Sequence, residues 1–267
     1  MLRELGPLPT AALRYLIAGI ALLPFALRSK PDLSKIRPVL PQLTIMVIGS
    51  GLVYPWLFLE ALARTAAANC SLLIALNPLF TVLLSPLVGE RHERRWGGVL
   101  LALFGASLVI TRGETENIVR LAHLELATGD LMAIAAAAVW ASFNLASRSV
   151  SAVLPSSFIN FLVYGFGGIA LMLITADQHP LTSLVELSPA AFGSLLVMAV
   201  LASVVAGQLF LFGVRSVGVN RTVVFIYLVP VLTAVLSVLL LGESFGIAQA
   251  LGGAAVLTGV YWTTRPH

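Results

Sequence analysis

Long apolar runs, separated by short polar segments, dominate the sequence. Each run has roughly 20 residues, the length at which a helix rising about 1.5 Å per residue crosses a hydrocarbon core about 30 Å thick. None of the runs alternates apolar and polar residues as the strands of a membrane barrel do. The pattern predicts an all-α polytopic membrane protein with nine spans present. The nine runs are Thr10–Leu27, Gln42–Leu62, Ala66–Val88, Trp96–Thr111, Gly129–Val150, Ser156–Thr175, Ala190–Val214, Thr222–Leu241 and Phe245–Thr263.

The composition supports a lipid environment. Hydrophobic residues make up 58% of the chain and charged residues only 10%, whereas soluble domains carry about 25% charged residues. The net charge of +4 does not indicate a nucleic-acid partner, because the basic residues lie between the apolar runs and form no stripe on a helix. The single cysteine, Cys70, lies within a run and has no partner for a disulfide.

The basic residues also predict an orientation, because cytoplasmic loops are enriched in Lys and Arg. If all nine runs cross the membrane, 11 of the 16 basic residues fall on one side, Lys35 and Arg221 among them, and four fall on the other. Arg14 lies inside a run. The basic side is predicted to be cytoplasmic, and it includes the C-terminus.

An internal repeat relates the two halves of the chain. Residues 8–16 (LPTAALRYL) resemble residues 154–162 (LPSSFINFL), and each stretch opens a span. By the charge count the matching spans run in opposite directions, which predicts an inverted repeat such as many secondary transporters have. We expect a first half at 1–125 that lacks its first helix, a second half at 126–267, and ten helices in a complete chain. The further matches are Asn77-Pro78 with Val229-Pro230, and Gly97, Gly98 and Gly105 with Gly252, Gly253 and Gly259.

With these motifs in this order, the sequence resembles the EamA-type members of the drug/metabolite transporter superfamily over essentially its whole length. Within the superfamily it is most similar to the YddG-like (aromatic) amino-acid exporters. The resemblance implies two inverted repeats of five helices, a bacterial inner-membrane location, and a cavity lined by family helices one, three, four, six, eight and nine. The motifs are LRYLIAG at 13–19, Asn77-Pro78 with Gly89-Glu90, WASFN at 140–144 with Arg148, and Pro230 with Gly242-Glu243.

Apart from residues at the span ends, charge is nearly absent from the spans. Arg14 is the exception, and a snorkelling, structural role is expected for it. The sequence offers no midspan Glu for a small multidrug antiporter and no cavity Lys or Arg for a sugar-phosphate carrier. Ser50, in Gly49-Ser50-Gly51, has no histidine at its depth, which argues against an enzyme. We expect no cofactor or metal, and a neutral or zwitterionic substrate.

Polar and aromatic residues near the middle of the spans are the candidate substrate contacts. Trp140 with Asn144, and Tyr54 with Phe58, are four residues apart and so share a helix face. The structural alternatives are packing for the aromatic residues and, for Asn77, a bond to the carbonyl freed by Pro78. The eight candidates are Tyr54, Phe58, Asn77, Trp140, Asn144, Ser203, Gln208 and Tyr227.

Glycines spaced seven apart mark one face of the last helix in each half, namely Gly98 with Gly105 and Gly252 with Gly259. Such stripes favour close helix packing within the chain or a homodimer. The predicted function is export of amino acids or similarly small metabolites by alternating access. The alternatives are a drug or lipid-precursor exporter of the same fold and a non-transporting membrane scaffold.

Overall fold

The chain is helical throughout the part that the structure describes. The structure is a computed structural model, and it describes residues 5–65, 67–89, 96–111, 128–241 and 246–264. These ranges contain helices and no strand, which confirms the predicted all-α class. The α-helices in them are α1 (Pro7–Arg28), α2 (Ile36–Thr44), α3 (Tyr54–Arg64), α4 (Ala67–Ile74), α5 (Asn77–Leu84), α6 (Trp96–Thr111), α7 (Thr128–Val153), α8 (Ser156–Ile174), α9 (Pro180–Val185), α10 (Pro189–Val197), α11 (Ala206–Val217), α12 (Val219–Val224), α13 (Leu228–Leu241) and α14 (Ile247–Thr264).

Shorter segments of other helix types join several of these helices. Within the described ranges, two segments are π-helical, Ile45–Val53 between α2 and α3 and Met198–Val205 between α10 and α11. The 3₁₀ segments are Leu33–Lys35, Ser85–Val88, Ala176–Gln178 and Phe225–Tyr227.

Seven helical stretches in the described ranges are long and apolar enough to cross a membrane. They correspond to seven of the predicted spans, and the chain is a multi-pass membrane protein. An eighth predicted span forms α6, which is apolar but has only 16 residues. The ninth predicted span forms α14, which is not among these seven stretches, so the count of nine spans stays a prediction. The seven stretches are Pro7–Arg28, Leu33–Arg64, Cys70–Val88, Thr128–Val153, Ser156–Ile174, Pro189–Val217 and Val219–Leu236.

The contacts divide the chain into two compact units. The first unit comprises Met1–Leu59 and Ser142–Gly218, and the second comprises Glu60–Ala141 and Val219–His267. Each unit therefore takes segments from both predicted halves. The halves at 1–125 and 126–267 are a prediction about sequence repeats, and they do not coincide with these units.

In the first unit, α1 and α8 pack with their backbones in contact. A methyl group added to Gly19 would lie 2.7 Å from Gly165 Cα, and one added to Gly168 would lie 2.5 Å from Leu16 N. Earlier residues of α1 face later residues of α8, so the two helices run antiparallel. The glycines are required because any side chain would push the two backbones apart.

The two π-helical segments pack on this central pair, the segment Ile45–Val53 against α8 and the segment Met198–Val205 against α1. A methyl group on Gly51 would lie 2.7 Å from Val163 O, so this approach is also a backbone contact. Segments of π-helix are uncommon and occur often at functional sites. They mark two places in the first unit where a site is expected.

Arg215 links two further elements of the first unit. Its Nε donates a hydrogen bond to Ser151 O at 2.5 Å, and its terminal nitrogen donates another to Leu154 O. The last carbonyls of a helix have no partner within the helix, and a cation there is favourable. Arg215 at the end of α11 therefore stabilises the end of α7.

In the second unit, α6 and α14 form another antiparallel pair with backbone contact. A methyl group on Gly105 would lie 2.5 Å from Gly252 O, and one on Gly98 would lie 2.9 Å from Gly259 O. The two predicted glycine stripes face each other in the same chain. Because these glycines are covered, a homodimer would have to use other surfaces.

Two spans of the second unit are interrupted near their prolines. The turn at Ala75 and Leu76 separates α4 from α5, and Pro78 is the second residue of α5. In the other span, the 3₁₀ segment Phe225–Tyr227 separates α12 from α13, and Pro230 follows. Both distortions have a local cause, because proline removes a helical hydrogen bond and crowds the preceding turn.

Candidate functional site

The eight predicted site residues fall into two groups, one in each unit. Each group is described by itself. The first unit contains Tyr54, Phe58, Asn144, Ser203 and Gln208, and the second unit contains Asn77, Trp140 and Tyr227.

Tyr54 and Phe58 form a stacked aromatic pair. Their ring centres are 5.9 Å apart and their ring planes differ by 8°. Both side chains are half-buried, and Tyr54 begins α3 directly after the π-helical segment. The expectation that they share a helix face is confirmed. Such a pair offers a flat ring face that an ammonium group or another aromatic ring can contact.

Ser203 is buried in the π-helical segment Met198–Val205, with 2% of its surface exposed. Its hydroxyl donates a long hydrogen bond of 3.5 Å to Met198 O, five residues earlier. Ser50 has the same exposure in the other π-helical segment, Ile45–Val53. In the sequence, Ser50 between Gly49 and Gly51 was weighed only as a possible nucleophile, whereas the structure places it as a buried hydroxyl of this π-helical segment.

Asn144 and Gln208 place amide groups in the first unit. Asn144 is fully buried in α7, and its backbone carbonyl accepts a hydrogen bond of 2.6 Å from Ser147 Oγ. Gln208 lies in α11, and its Nε2 is buried without a hydrogen-bond partner among the described residues. A buried amide donor without a partner costs free energy, so its retention suggests a ligand or a water molecule.

A polar cluster that the sequence analysis did not assign to the site lies on α1, α8 and α11. Tyr15 and Tyr164 meet edge to face, with ring centres 5.0 Å apart. The Arg14 guanidinium carbon lies 5.0 Å from the centre of the Tyr15 ring. A methyl group on Gly207 would lie 2.9 Å from the Tyr164 hydroxyl oxygen and 3.1 Å from Asn160 Nδ2. The Tyr164 hydroxyl and Asn160 Nδ2 lie beside Gly207 because a glycine leaves the space that they occupy.

The repeat was the signal that would have drawn attention to this cluster. Arg14 and Asn160 occupy the same position in the matching stretches 8–16 and 154–162. Their buried nitrogens, Arg14 Nε and Asn160 Nδ2, make no hydrogen bond within the part of the chain that the structure describes.

In the second unit, two of the candidates lie at the interruptions of the broken spans. Asn77 is the first residue of α5 and is 3% exposed, and Tyr227 ends the 3₁₀ segment before α13 and is 1% exposed. Thr81 Oγ1 donates hydrogen bonds to Asn77 O at 2.9 Å and to Asn77 Oδ1 at 3.2 Å. Trp140, the third candidate, is half-buried in α7.

The two broken spans pack against each other. Helix α5 contacts α12, and Asn220 Nδ2 at the start of α12 donates a hydrogen bond of 3.2 Å to Ser85 Oγ, just after α5. The interruptions therefore belong to neighbouring helices of one unit.

A cavity of about 410 Å³ lies elsewhere in the first unit, and none of the eight candidates lines it. Its walls are mostly apolar and come from α1, α8 and the short segments after α8. Among the described residues, no group of three or more His, Cys, Asp or Glu is placed to hold a metal ion.

Comparison with known proteins identifies the family. The chain is 26% identical to an uncharacterized transporter of Archaeoglobus fulgidus, over 98% of this chain and 89% of the relative. It is 24% identical to the uncharacterized inner membrane transporter YedA of Escherichia coli, over 97% of this chain and 81% of the relative.

A solved structure titled "Crystal structure of protein" has the same fold, with a TM-score of 0.75, 22% identity and coverage of 97% of this chain and 88% of that one. A model of the EamA-like transporter family matches residues 1–111 and 127–265. The chain is a membrane transporter rather than an enzyme, and it belongs to the EamA-like transporter family of the drug/metabolite transporter superfamily.

Proposed function

We propose that this protein exports amino acids, aromatic or aliphatic, or similarly small neutral or zwitterionic metabolites. It works as a secondary transporter by alternating access of two inverted halves, at 1–125 and 126–267. It lies in the bacterial cytoplasmic membrane with its C-terminus in the cytoplasm. Any homodimer uses surfaces other than the glycine stripes of α6 and α14.

The observation that carries the proposal is the pair of interrupted spans in the second unit. Discontinuous helices with unpaired backbone groups form the substrate sites of many secondary transporters. Here both interruptions carry a buried polar residue, Asn77 in one span and Tyr227 in the other. A scaffold has no need for breaks at depth, because each break costs backbone hydrogen bonds in a medium without water.

The antiparallel helix pairs support the inverted halves. With the register shifted by one residue at the first glycine, so that Gly98 corresponds to Gly252 and Gly105 to Gly259, the contacts of Gly98 with Gly259 and of Gly105 with Gly252 are reciprocal. Reciprocal contacts are what a two-fold axis between equivalent elements produces. The two separate matches to the family model, and the π-helical segments in two spans, are consistent with the same relation.

The chemistry of the candidate residues supports a small polar solute. The Tyr54–Phe58 stack offers aromatic faces, whereas Ser203, Asn144 and Gln208 offer hydroxyl and amide groups. A zwitterionic amino acid can use both kinds of contact, with its ammonium group on a ring and its carboxylate on hydrogen-bond donors.

Flux into proteoliposomes tests the function. A panel of radiolabelled amino acids should include at least one whose uptake saturates and is abolished by omitting the protein. The absence of saturable flux for every amino acid, with saturable flux of a drug or a lipid precursor, would favour the alternative exporter. The absence of flux for all three classes would favour the scaffold.

Two substitutions test the site residues. Tyr54→Ala and Trp140→Ala should each lower the saturable flux about tenfold or more at an unchanged protein level, because each removes an aromatic contact to the solute. Trp56→Ala is the matched control, since Trp56 lies on the same helix as Tyr54 but is 42% exposed. Unchanged flux in both test variants would remove these residues from the site.

A further inference from the structure

Arg14 is a cation inside a membrane span, and no described carboxylate pairs with it. It is the eighth residue of the 22-residue helix α1, and its Nε is buried. It forms no ion pair in the part of the chain that the structure describes. A charge at such a position is costly in a membrane, and its presence indicates a functional site.

Two tyrosines hold the guanidinium group in place. Arg14 lies over the Tyr15 ring, and the Tyr15 ring in turn meets the Tyr164 ring edge to face. A cation over an aromatic face is attracted by the ring quadrupole, and the attraction grows as water is removed. The backbone contact of Gly168 with Leu16, two residues from Arg14, fixes α1 against α8. The guanidinium is thus positioned by a rigid helix pair.

These contacts leave the hydrogen-bonding edge of Arg14 unused. The N–H groups of a guanidinium point outward in its own plane, and the face of an aromatic ring does not accept them as linear hydrogen bonds. Arg14 Nε has no acceptor among the described residues. A guanidinium group has five donors in a planar fork, which matches the two oxygens of a carboxylate.

Asn160 supplies a second unused donor on the other helix of the pair. It is 2% exposed, and its Nδ2 has no hydrogen-bond partner among the described residues. It lies four residues before Tyr164 on α8, so both side chains share one face, and both reach Gly207 of α11. The neutral Asn160 stands where the first half has Arg14, so only one of the two matching positions carries charge.

We propose that Arg14 binds the carboxylate of the transported solute, with Tyr15 and Tyr164 positioning the guanidinium and Asn160 as a neutral polar contact on the same helix pair. The inference rests on the proposed function, and it names the group of the solute that is recognised. It differs from the expectation that Arg14 only snorkels and that the substrate meets no charged residue. A solute without a carboxylate should be bound poorly.

The test compares a carboxylate with its neutral amide on purified protein. L-Phenylalanine and benzoate should raise the melting temperature of the wild-type protein, whereas L-phenylalaninamide should not. Arg14→Gln should weaken the binding of radiolabelled L-phenylalanine about 10- to 100-fold, the effect of losing hydrogen bonds to a charged group. Arg28→Gln is the matched control, because Arg28 ends the same helix, is exposed, and undergoes the same change of charge.

A second pair of variants tests the site without removing charge. In Gly207→Ala the new methyl group would displace the Tyr164 hydroxyl and Asn160 Nδ2, so binding should weaken. Gly193→Ala in α10 should bind as the wild type does, because a methyl group there would meet no atom within 4 Å.

The outcomes separate this inference from the proposed function. Equal stabilisation by the acid and its amide, no stabilisation by either carboxylate, or unchanged binding in Arg14→Gln would each overturn the carboxylate site. Stabilisation by phosphatidylglycerol vesicles alone would assign Arg14 to a lipid phosphate and also overturn it. Saturable amino-acid flux with an unchanged KM in Arg14→Gln would reject the site but leave the transporter standing. Loss of benzoate binding in Arg14→Gln, together with no amino-acid flux by the wild type, would support the carboxylate site but reject the proposed amino-acid transport.

Discussion

Substituting Gly19 by alanine should destabilise the protein far more than substituting Gly165, although the two glycines face each other between α1 and α8. A methyl group on Gly19 would lie 2.7 Å from Gly165 Cα and 2.9 Å from Gly165 N. Carbon atoms in contact are about 3.5 to 4.0 Å apart, so the two backbones would have to separate by about 1 Å. Overpacking of this kind typically costs about 1–3 kcal/mol.

The methyl group of Gly165→Ala, by contrast, points at a side chain. Its nearest neighbour would be a ring carbon of Phe161 at 3.7 Å, which is an ordinary contact. Alanine is also more favourable than glycine within a helix, by roughly 0.5–1 kcal/mol. Gly19→Ala gains the same propensity, so the free energy of unfolding should differ between the two variants by the overpacking cost of about 1–3 kcal/mol, with Gly165→Ala the more stable.

The assay is reversible unfolding in mixed micelles with increasing dodecyl sulfate, followed by tryptophan fluorescence on wild type and both variants. Equal destabilisation by the two substitutions, or a larger effect of Gly165→Ala, would refute the deduced helix register. It would also weaken the evidence for the antiparallel packing of α1 on α8, which supports the proposal of inverted halves.

Two further predictions concern the second unit. Gly105→Ala should lower the melting temperature in detergent, because its methyl group would lie 2.5 Å from Gly252 O. The control Gly253→Ala should not lower it, because the nearest neighbour of its methyl group would be a Val231 methyl carbon at 3.6 Å. Equal melting temperatures of the two variants would contradict the packing of α6 on α14. Thr65→Val should cost about 1–3 kcal/mol of unfolding free energy, since Thr65 Oγ1 donates a hydrogen bond of 2.5 Å to the buried Asp130 carboxylate, and Thr65→Ser should retain most of it.

The helical class and most span positions could be predicted because apolar length alone determines which segments cross a bilayer. The run Thr10–Leu27, for example, lies within α1. The distortions near Pro78 and Pro230 were also predictable from the local sequence, since proline inside a helical run removes a backbone hydrogen bond. Tyr54 and Phe58 stack because their spacing of four places them on one face.

Other features depend on contacts between distant segments, which periodicity does not reveal. The two π-helical segments have apolar sequences like those of ordinary helices. The segment Ile45–Val53 lies where Gly51 meets α8, and the segment Met198–Val205, between α10 and α11, packs against α1. Arg14 resembled a snorkelling residue because the sequence does not show that its Nε is enclosed. Asn160 was noticed only as part of a repeat, since its unused donor becomes visible once Gly207 packs beside it.

The two hydrogen bonds from Arg215 have a mechanical consequence. They tie the end of α11 to the corner where α7 turns into α8, a connection of only two residues, Leu154 and Pro155. A rotation of α11 would have to carry this corner along or break both bonds. We therefore expect this span to bend away from the Arg215 end during transport, at the wider turns of Met198–Val205, where hydrogen-bond partners can be exchanged.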